Sequence, residues 1–323
     1  MSFALNHIKS MLGLNEKLFR DARGARIVVY HGICQSNPTL INSLFVTTAT
    51  FQRHLQFYSR YFNIVSLDDY FAGRLSNDRF NICITFDDGF ANNYRHALPL
   101  IEKYQIPAAF FITAIRQAGY DILWNDHLAL LQKFGPSQLS FENNSYRRDR
   151  HHRYLSSAGD ILLRQYLLKD RFPKKAEFMR QTSQLARIAR ATAGEDYWLQ
   201  MTEEEIAWLA SSPYATIGCH GYYHNDLSML ALADATAEMV HSRQYLEKIT
   251  GRKVQAIAFP YGAYTREVVA AADETAGFRQ LLAVDFLYPE DKDHPLIRER
   301  MTVNPYISIY NQMTAIVRGH YNF

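Results

Sequence analysis

The chain has 323 residues, 48% of them hydrophobic, and a net charge of only +3. That is enough apolar material for one large α/β domain or two smaller ones. The small, dispersed positive charge argues against a nucleic-acid binder. Cys34, Cys83 and Cys219 form no CxxC pair and are odd in number, which argues against a disulfide framework and fits a reducing compartment.

Residues 1–25 read as an N-terminal helical segment ahead of a main domain spanning 26–323. The start, Met1 to Lys9, lacks the basic opening and long apolar core of an export signal, which points to a cytoplasmic setting. No apolar run is long enough to cross a bilayer. Phe3 to Phe19 fits one amphipathic helix with Leu5, Ile8, Leu12 and Phe19 near a common face. Packing on the protein is the simpler use of that face, and peripheral contact with the inner membrane face is the alternative.

Short apolar runs then alternate with helical patterns. Arg26 to His31 reads as a strand, Phe51 to Tyr61 as a helix, and Ile82 to Phe86 as a strand. Tyr94 to Tyr104 is helical, and Ala108 to Ile112 is the next strand. Thr202 and Glu205 have the spacing of a capping box that starts a helix running through Trp208. Ala215 to Gly218 is a strand. Ala235, Met239, Ser242, Leu246 and Ile249 share one helical face, and Gly251 is placed to end that helix. Val254 to Phe259 and Leu281 to Val284 are further strands. Such alternation implies a mainly parallel sheet, open or closed into a barrel. Residues 116–198 break the rhythm. They show no strand core, read as helices over 161–169 and 174–193, and form a helical insertion. Within it, the basic run 146–153 is a solvated surface or a contact for an anionic substrate or lipid headgroup.

Sites in parallel α/β folds gather at the carboxyl ends of strands. Asp87 and Asp88 stand at such an end, as do His31, His220 and the turn Pro260-Tyr261-Gly262. Each has a plain alternative. Two acids before Gly89 make a turn and helix cap. His220 and His224 have the spacing of exposed helical residues. His31 can be a hydrogen-bonded core residue. Their joint occurrence at successive strand ends favours a site. Two imidazoles and a carboxylate can hold one metal ion and leave a second carboxylate beside it, the minimal equipment of a metal-assisted hydrolase.

Thr85-Phe86-Asp87-Asp88-Gly89, His220-Gly221-Tyr222-Tyr223-His224 and Phe259-Pro260-Tyr261-Gly262 resemble the leading motifs of the polysaccharide deacetylase family, also called the NodB-homology or carbohydrate esterase 4 family. Tyr30-His31-Gly32, Phe51 to Leu55 and Ile64 to Leu67 resemble its poly-N-acetylglucosamine deacetylase branch. Asp226-Leu227-Ser228 and Glu238 continue the match. The resemblance covers roughly 26–115 and 200–305. It implies a distorted (β/α) barrel and one divalent metal, usually Zn2+, with Co2+ or Ni2+ as alternatives. It implies Asp88, His220 and His224 as metal ligands, Asp87 as general base, and the Tyr261 backbone N–H as an oxyanion donor. The implied activity removes an N-linked acetyl group from an N-acetylated sugar in a glycan or glycan precursor.

The chain departs from the family pattern in its third motif, where Ala258-Phe259 stands in place of the arginine that orients the base. Arg298 or Arg300 is expected to reach the same carboxylate from another strand. No leucine-x-histidine motif supplies the general acid, and His31 is the expected substitute. Asp285 is a candidate for the fourth motif, without its tryptophan context. Trp124 is a stacking platform for sugar or a core residue. Two alternatives stay open: a deformylase or deacetylase acting on a lipid-linked sugar, and a sugar-binding homologue that has lost catalysis.

Overall fold

The computed structural model of the chain describes residues 3–11, 13, 15–159 and 161–322. Eight parallel strands carry the fold: β1 (Ala25–Tyr30), β2 (Asn81–Phe86), β3 (Ala108–Ile112), β4 (Ala215–Cys219), β5 (Ala256–Ala258), β6 (Gln280–Leu282), β7 (Ile297–Arg298) and β8 (Met301–Thr302). They neighbour one another in the order β7-β6-β5-β4-β3-β2-β1-β8, and the short strand Asn63–Ile64 adds to the start of β2. The two edges of this curled sheet are therefore adjacent pieces of one segment. Residues 297–298 pair with β6, and residues 301–302 pair with β1. This is the expected distorted (β/α) barrel, drawn together through Glu299 and Arg300.

Period-two alternation divides β1, β2, β3, β5 and β6 between two cores. In β2, Ile82, Ile84 and Phe86 face the large cluster beneath the surrounding helices, while Cys83 faces a smaller interior cluster with Ile27, Ala109, Phe111, Ala258 and Leu282. Gly218 on β4 makes that interior possible, because a Cβ there would lie 2.4 Å from the Phe111 ring. The registers are nearly level: Tyr30 pairs with Phe86, Phe86 with Phe110, Ile112 with Cys219, and Ala258 with Leu282. The carboxyl ends of β1 to β6 therefore open on one face.

Several local signals act as the sequence implies. Thr202 and Glu205 form a reciprocal capping box at the start of helix Glu203–Ser211. Gly251, at φ 64°, closes helix Leu232–Thr250. At the N-terminus the single helix is replaced by two, Phe3–Met11 and Glu16–Arg20, with a turn around Gly13 at φ 73°. Leu12 and the Leu5 side chain lie outside the described residues. Phe19 is buried, and Asn6 donates to Asn311 and Thr314 of the C-terminal helix Ile309–Arg318, whereas Ile8 is exposed. No described helix is long and apolar enough to cross a membrane.

The stretch between β3 and β4 differs from the all-helical expectation. It contains an antiparallel sheet of Gln138–Phe141, Asn144–Arg148 and Tyr154–Ser156. Leu139, Phe141, Tyr146 and Tyr154 are buried among helices Trp124–Phe134, Phe172–Gln181 and Ser183–Ala193. The basic run 146–153 is thus the end of one strand and the turn that leads to the next. Arg148 donates to the carbonyls of Gln132, Lys133 and Gly135 at the end of helix Trp124–Phe134, and Arg153 pairs with Asp149. The charges conceal the alternation because they sit on residues whose neighbours, not themselves, fill the core.

Candidate active site

Asp87 follows β2 on the face of Cys83 and Thr85, so strand alternation aims it into the barrel mouth. The next residue of a continuing strand would point the other way. Asp88 instead takes φ 74°, which turns its carboxylate back to the same side. Gly89 follows at φ 80°, where a Cβ would lie 2.8 Å from the Ile112 side chain. His224 (φ 56°) and Tyr261 (φ 60°) are also left-handed, so three of the seven described non-glycine residues with positive φ belong to this mouth. Such conformations cost about 1–3 kcal/mol each and persist where the surroundings enforce them.

Asp87 is 4% exposed, and Arg300, 3% exposed, grips it from the segment joining β7 to β8. Arg300 Nη1 donates to Asp87 Oδ1 and Nη2 to Oδ2, both at 2.7 Å. The same guanidinium donates to Thr85 Oγ1 at 3.3 Å and Ala283 O at 3.3 Å. Planar, bidentate pairing of this kind fixes a carboxylate in both position and rotation. Arg298 does not share the role, since its side chain donates to the His294 and Ile297 carbonyls.

Asp88 faces the imidazoles. Its Oδ1 lies 3.3 Å from His220 Nε2 and 3.1 Å from His224 Nε2. His220 also lies 4.0 Å from Asp87, through Nε2 and Oδ2. The 220–226 stretch is a loop, not a helix, so the histidine spacing reflects a turn around the barrel mouth. His220 Nδ1 donates to the Ala258 carbonyl at 2.8 Å, which leaves a lone pair on Nε2. His224 Nδ1 lies 3.1 Å from the Tyr261 hydroxyl, which serves its Nε2 in the same way when Nδ1 is the donor. Asp88, His220 and His224 are the one metal-competent group found among the described residues, with ligand atoms all within 4.8 Å of one another. Three buried, converging donors with oriented outer nitrogens suit a divalent ion such as zinc.

The electrostatics agree with the geometry. Burial alone would raise Asp87, but Arg300 and His220 outweigh it and hold the carboxyl below its usual range. Burial likewise opposes the ionisation of Asp88, and His224 and His220 override it more strongly. His31 is half-buried, and its Nδ1 has no hydrogen-bond partner. Burial pushes its imidazole down, against the pull of Asp88 and Asp87.

Residues 75–281, more than half of the chain, match the family model described as polysaccharide deacetylase. The chain belongs to the polysaccharide deacetylase family. Solved structures share the fold. The Streptococcus pyogenes deacetylase PplD, in complex with acetate, is 18% identical with a TM-score of 0.53, over 91% of this chain and 97% of its own. IcaB from Ammonifex degensii is 18% identical with a TM-score of 0.55, over 92% and 98%. The polysaccharide deacetylase BC0361 from Bacillus cereus is 16% identical with a TM-score of 0.55, over 91% and 68%. No curated protein shows significant similarity.

In this polysaccharide deacetylase family member the mouth is a cleft of about 370 Å³. His31, Asp87, Asp88, His220, His224 and Tyr261 line it together with Asn125, Asp126 and Arg164 of the insertion. Asp285 does not line it and borders a separate hollow with Arg26 and Glu299. Trp124 is no stacking platform. It is fully buried, its indole N–H donates to the His224 carbonyl at 3.4 Å, and Lys175 Nζ lies 4.9 Å from its ring centroid.

Lys175 and Asp126 escaped the sequence reading. Lys175 is fully buried and donates to Asn225 Oδ1 at 2.5 Å, while Asn225 donates to Glu238 Oε1 at 2.5 Å. Glu238 also accepts from the Tyr223 N–H at 3.3 Å. This chain braces the loop that carries both histidines. Burial brings the Lys175 amine down to about 8. The available signal for Asp126 was an acid two residues after an aromatic, in the first turn of a helix whose middle, Leu128 to Leu131, is apolar.

Proposed function

We propose that the protein is a metal-dependent hydrolase that removes the acetyl group from an N-acetylated sugar of a glycan or glycan precursor. The observation that carries the reading is the division of the acid pair: Asp88 converges with two imidazole Nε2 atoms, and Asp87, beside them, is held by Arg300. Family membership supports the reaction class.

Asp88, His220 and His224 would hold the ion. When bound there, a divalent cation would supply Lewis acidity toward water and a carbonyl oxygen. The residues of the chain do the rest. Asp87, ionised and fixed by Arg300, accepts the proton of the attacking water. The Tyr261 backbone N–H, set by its left-handed turn, donates to the carbonyl oxygen as negative charge develops there. His31 lines the same cleft with a free ring nitrogen and is our candidate for delivering a proton to the departing amine. The bidentate Arg300 supplies the contact that the third motif lacks, which supports catalysis over the alternative of an inactive sugar binder.

The test is acetate release from a panel of N-acetylated sugars and oligomers, set beside hydrolysis of an activated aryl acetate. Release from at least one sugar is expected, and none from any sugar sinks the reading. In the same assay, His31→Gln should slow the amide by about 10²-fold or more and the aryl acetate far less, because a phenolate needs little protonation to leave. Equal losses on both would take His31 out of this role.

A further inference from the structure

Asp126 is the one carboxyl group of this cleft that the proposed chemistry does not use. It is 2% exposed, and its Oδ2 has no hydrogen-bond partner. Asn125 beside it likewise has an unpartnered Oδ1. A buried acceptor without a donor is costly, and native structures ordinarily supply one from protein, water or ligand. Asp126 does not belong to the metal-competent group, which comprises Asp88, His220 and His224. Burial, with the negative charge of Asp88 adding to it, pushes its carboxyl well above the usual range. A hydroxyl, which both donates and accepts, can partner that oxygen whether the carboxyl is ionised or protonated.

Its placement is fixed relative to the site. Asp126 lies in the first turn of helix Trp124–Phe134. That helix is tied to the metal-site loop by the Trp124–His224 hydrogen bond, and Trp124 in turn lies under Lys175. Both unpartnered oxygens thus belong to a wall held against the loop that carries His220 and His224. The cleft volume of about 370 Å³ falls within the roughly 300–1,000 Å³ typical of small-ligand pockets.

We infer that Asn125 and Asp126 form a sugar-binding wall contributed by the insertion, in which the Asp126 carboxyl binds a hydroxyl of the N-acetylated residue and sets its acetyl group over Asp87 and Asp88. A carboxylate accepts from a hydroxyl and a carboxylic acid can also donate to it, so the contact holds in either protonation state. The inference rests on the sugar-deacetylase reading above.

The experiment uses the full chain carrying Asp87→Asn, which should bind sugar without turning it over. Affinity for β-1,4- and β-1,6-linked pentamers of N-acetylglucosamine is measured by calorimetry, with and without a change at Asp126. Asp126→Ala should weaken binding about tenfold or more, and Asp126→Asn, which keeps an acceptor oxygen, should weaken it less. With Asp87 intact, Asp126→Ala should raise KM for the preferred oligomer more than it lowers kcat. Its loss in kcat/KM on that oligomer should exceed its loss on 4-nitrophenyl acetate about tenfold. Unchanged affinity, or equal losses on both substrates with a lowered melting temperature, would overturn the inference in favour of a structural role. If Asp126→Ala does not fold, Asp126→Leu gives the same comparison. Failure of the Asp87→Asn protein to bind either pentamer overturns the sugar reading itself, and the wall with it.

Discussion

Replacing Asp87 by Asn should leave the bound metal in place while lowering turnover of an N-acetylated sugar by about 10³–10⁴-fold, the upper range for loss of a positioned general base. The shape of the site is retained, because an amide oxygen still accepts from Arg300, but no group remains to take the proton of the attacking water. His220→Ala should lose both metal and activity, because it removes one of three converging donors. The pair of variants separates the roles of two adjacent acids that the sequence presents as equals. Metal analysis and acetate release on the same preparations check the outcome. Near-normal deacetylation by Asp87→Asn would show that another group is the base.

Removing Arg300 should have the second-largest effect, and it should register in three measurements. Both members of the pair are almost fully buried, so Arg300→Met leaves an uncompensated carboxylate at a cost of about 3–5 kcal/mol. Thermal or denaturant unfolding should report that loss. Turnover should fall as Asp87 loses its fixed orientation. The acid limb of the pH–rate profile should also move. In the intact protein Arg300 helps to hold Asp87 below its usual range, so the base stays ionised well into acid. Without the guanidinium, burial raises the carboxyl, and activity is lost at a higher pH as pH falls. Arg300→Lys keeps the charge without the fork and should lie between the two. An acid limb unmoved in Arg300→Met would mean that the ion pair does not govern the base.

Much of this arrangement is legible in the sequence because it follows from strand period and turn chemistry. Ile82 to Phe86 announces a buried strand, and the abrupt Asp87-Asp88-Gly89 marks its carboxyl end. Cys219 to His224 and Phe259 to Gly262 do the same for β4 and β5. The less legible parts depend on contacts across the chain. Arg298 and Arg300 look equivalent until the segment 297–302 is seen to contribute both sheet edges, which places Arg300 at the seam beside Asp87. Trp124 reads equally as platform or core until the His224 carbonyl is found above its indole N–H. The small sheet at 138–156 hides because Arg147 and Arg148 on its middle strand, and Arg153 in the turn that follows, lie outside a core of alternating neighbours. The N-terminal periodicity runs through Gly13 without revealing the turn there.

The proposed function makes the buried group of Asp88, His220 and His224 a single-ion hydrolytic centre. The most direct measurement is acetate release from N-acetylated oligomers by chelator-stripped protein titrated with zinc, cobalt or nickel. Activity should be nearly absent in the stripped protein and should return in proportion to bound metal, saturating at about one ion per chain. Full acetate release by protein shown to be metal-free would contradict the account.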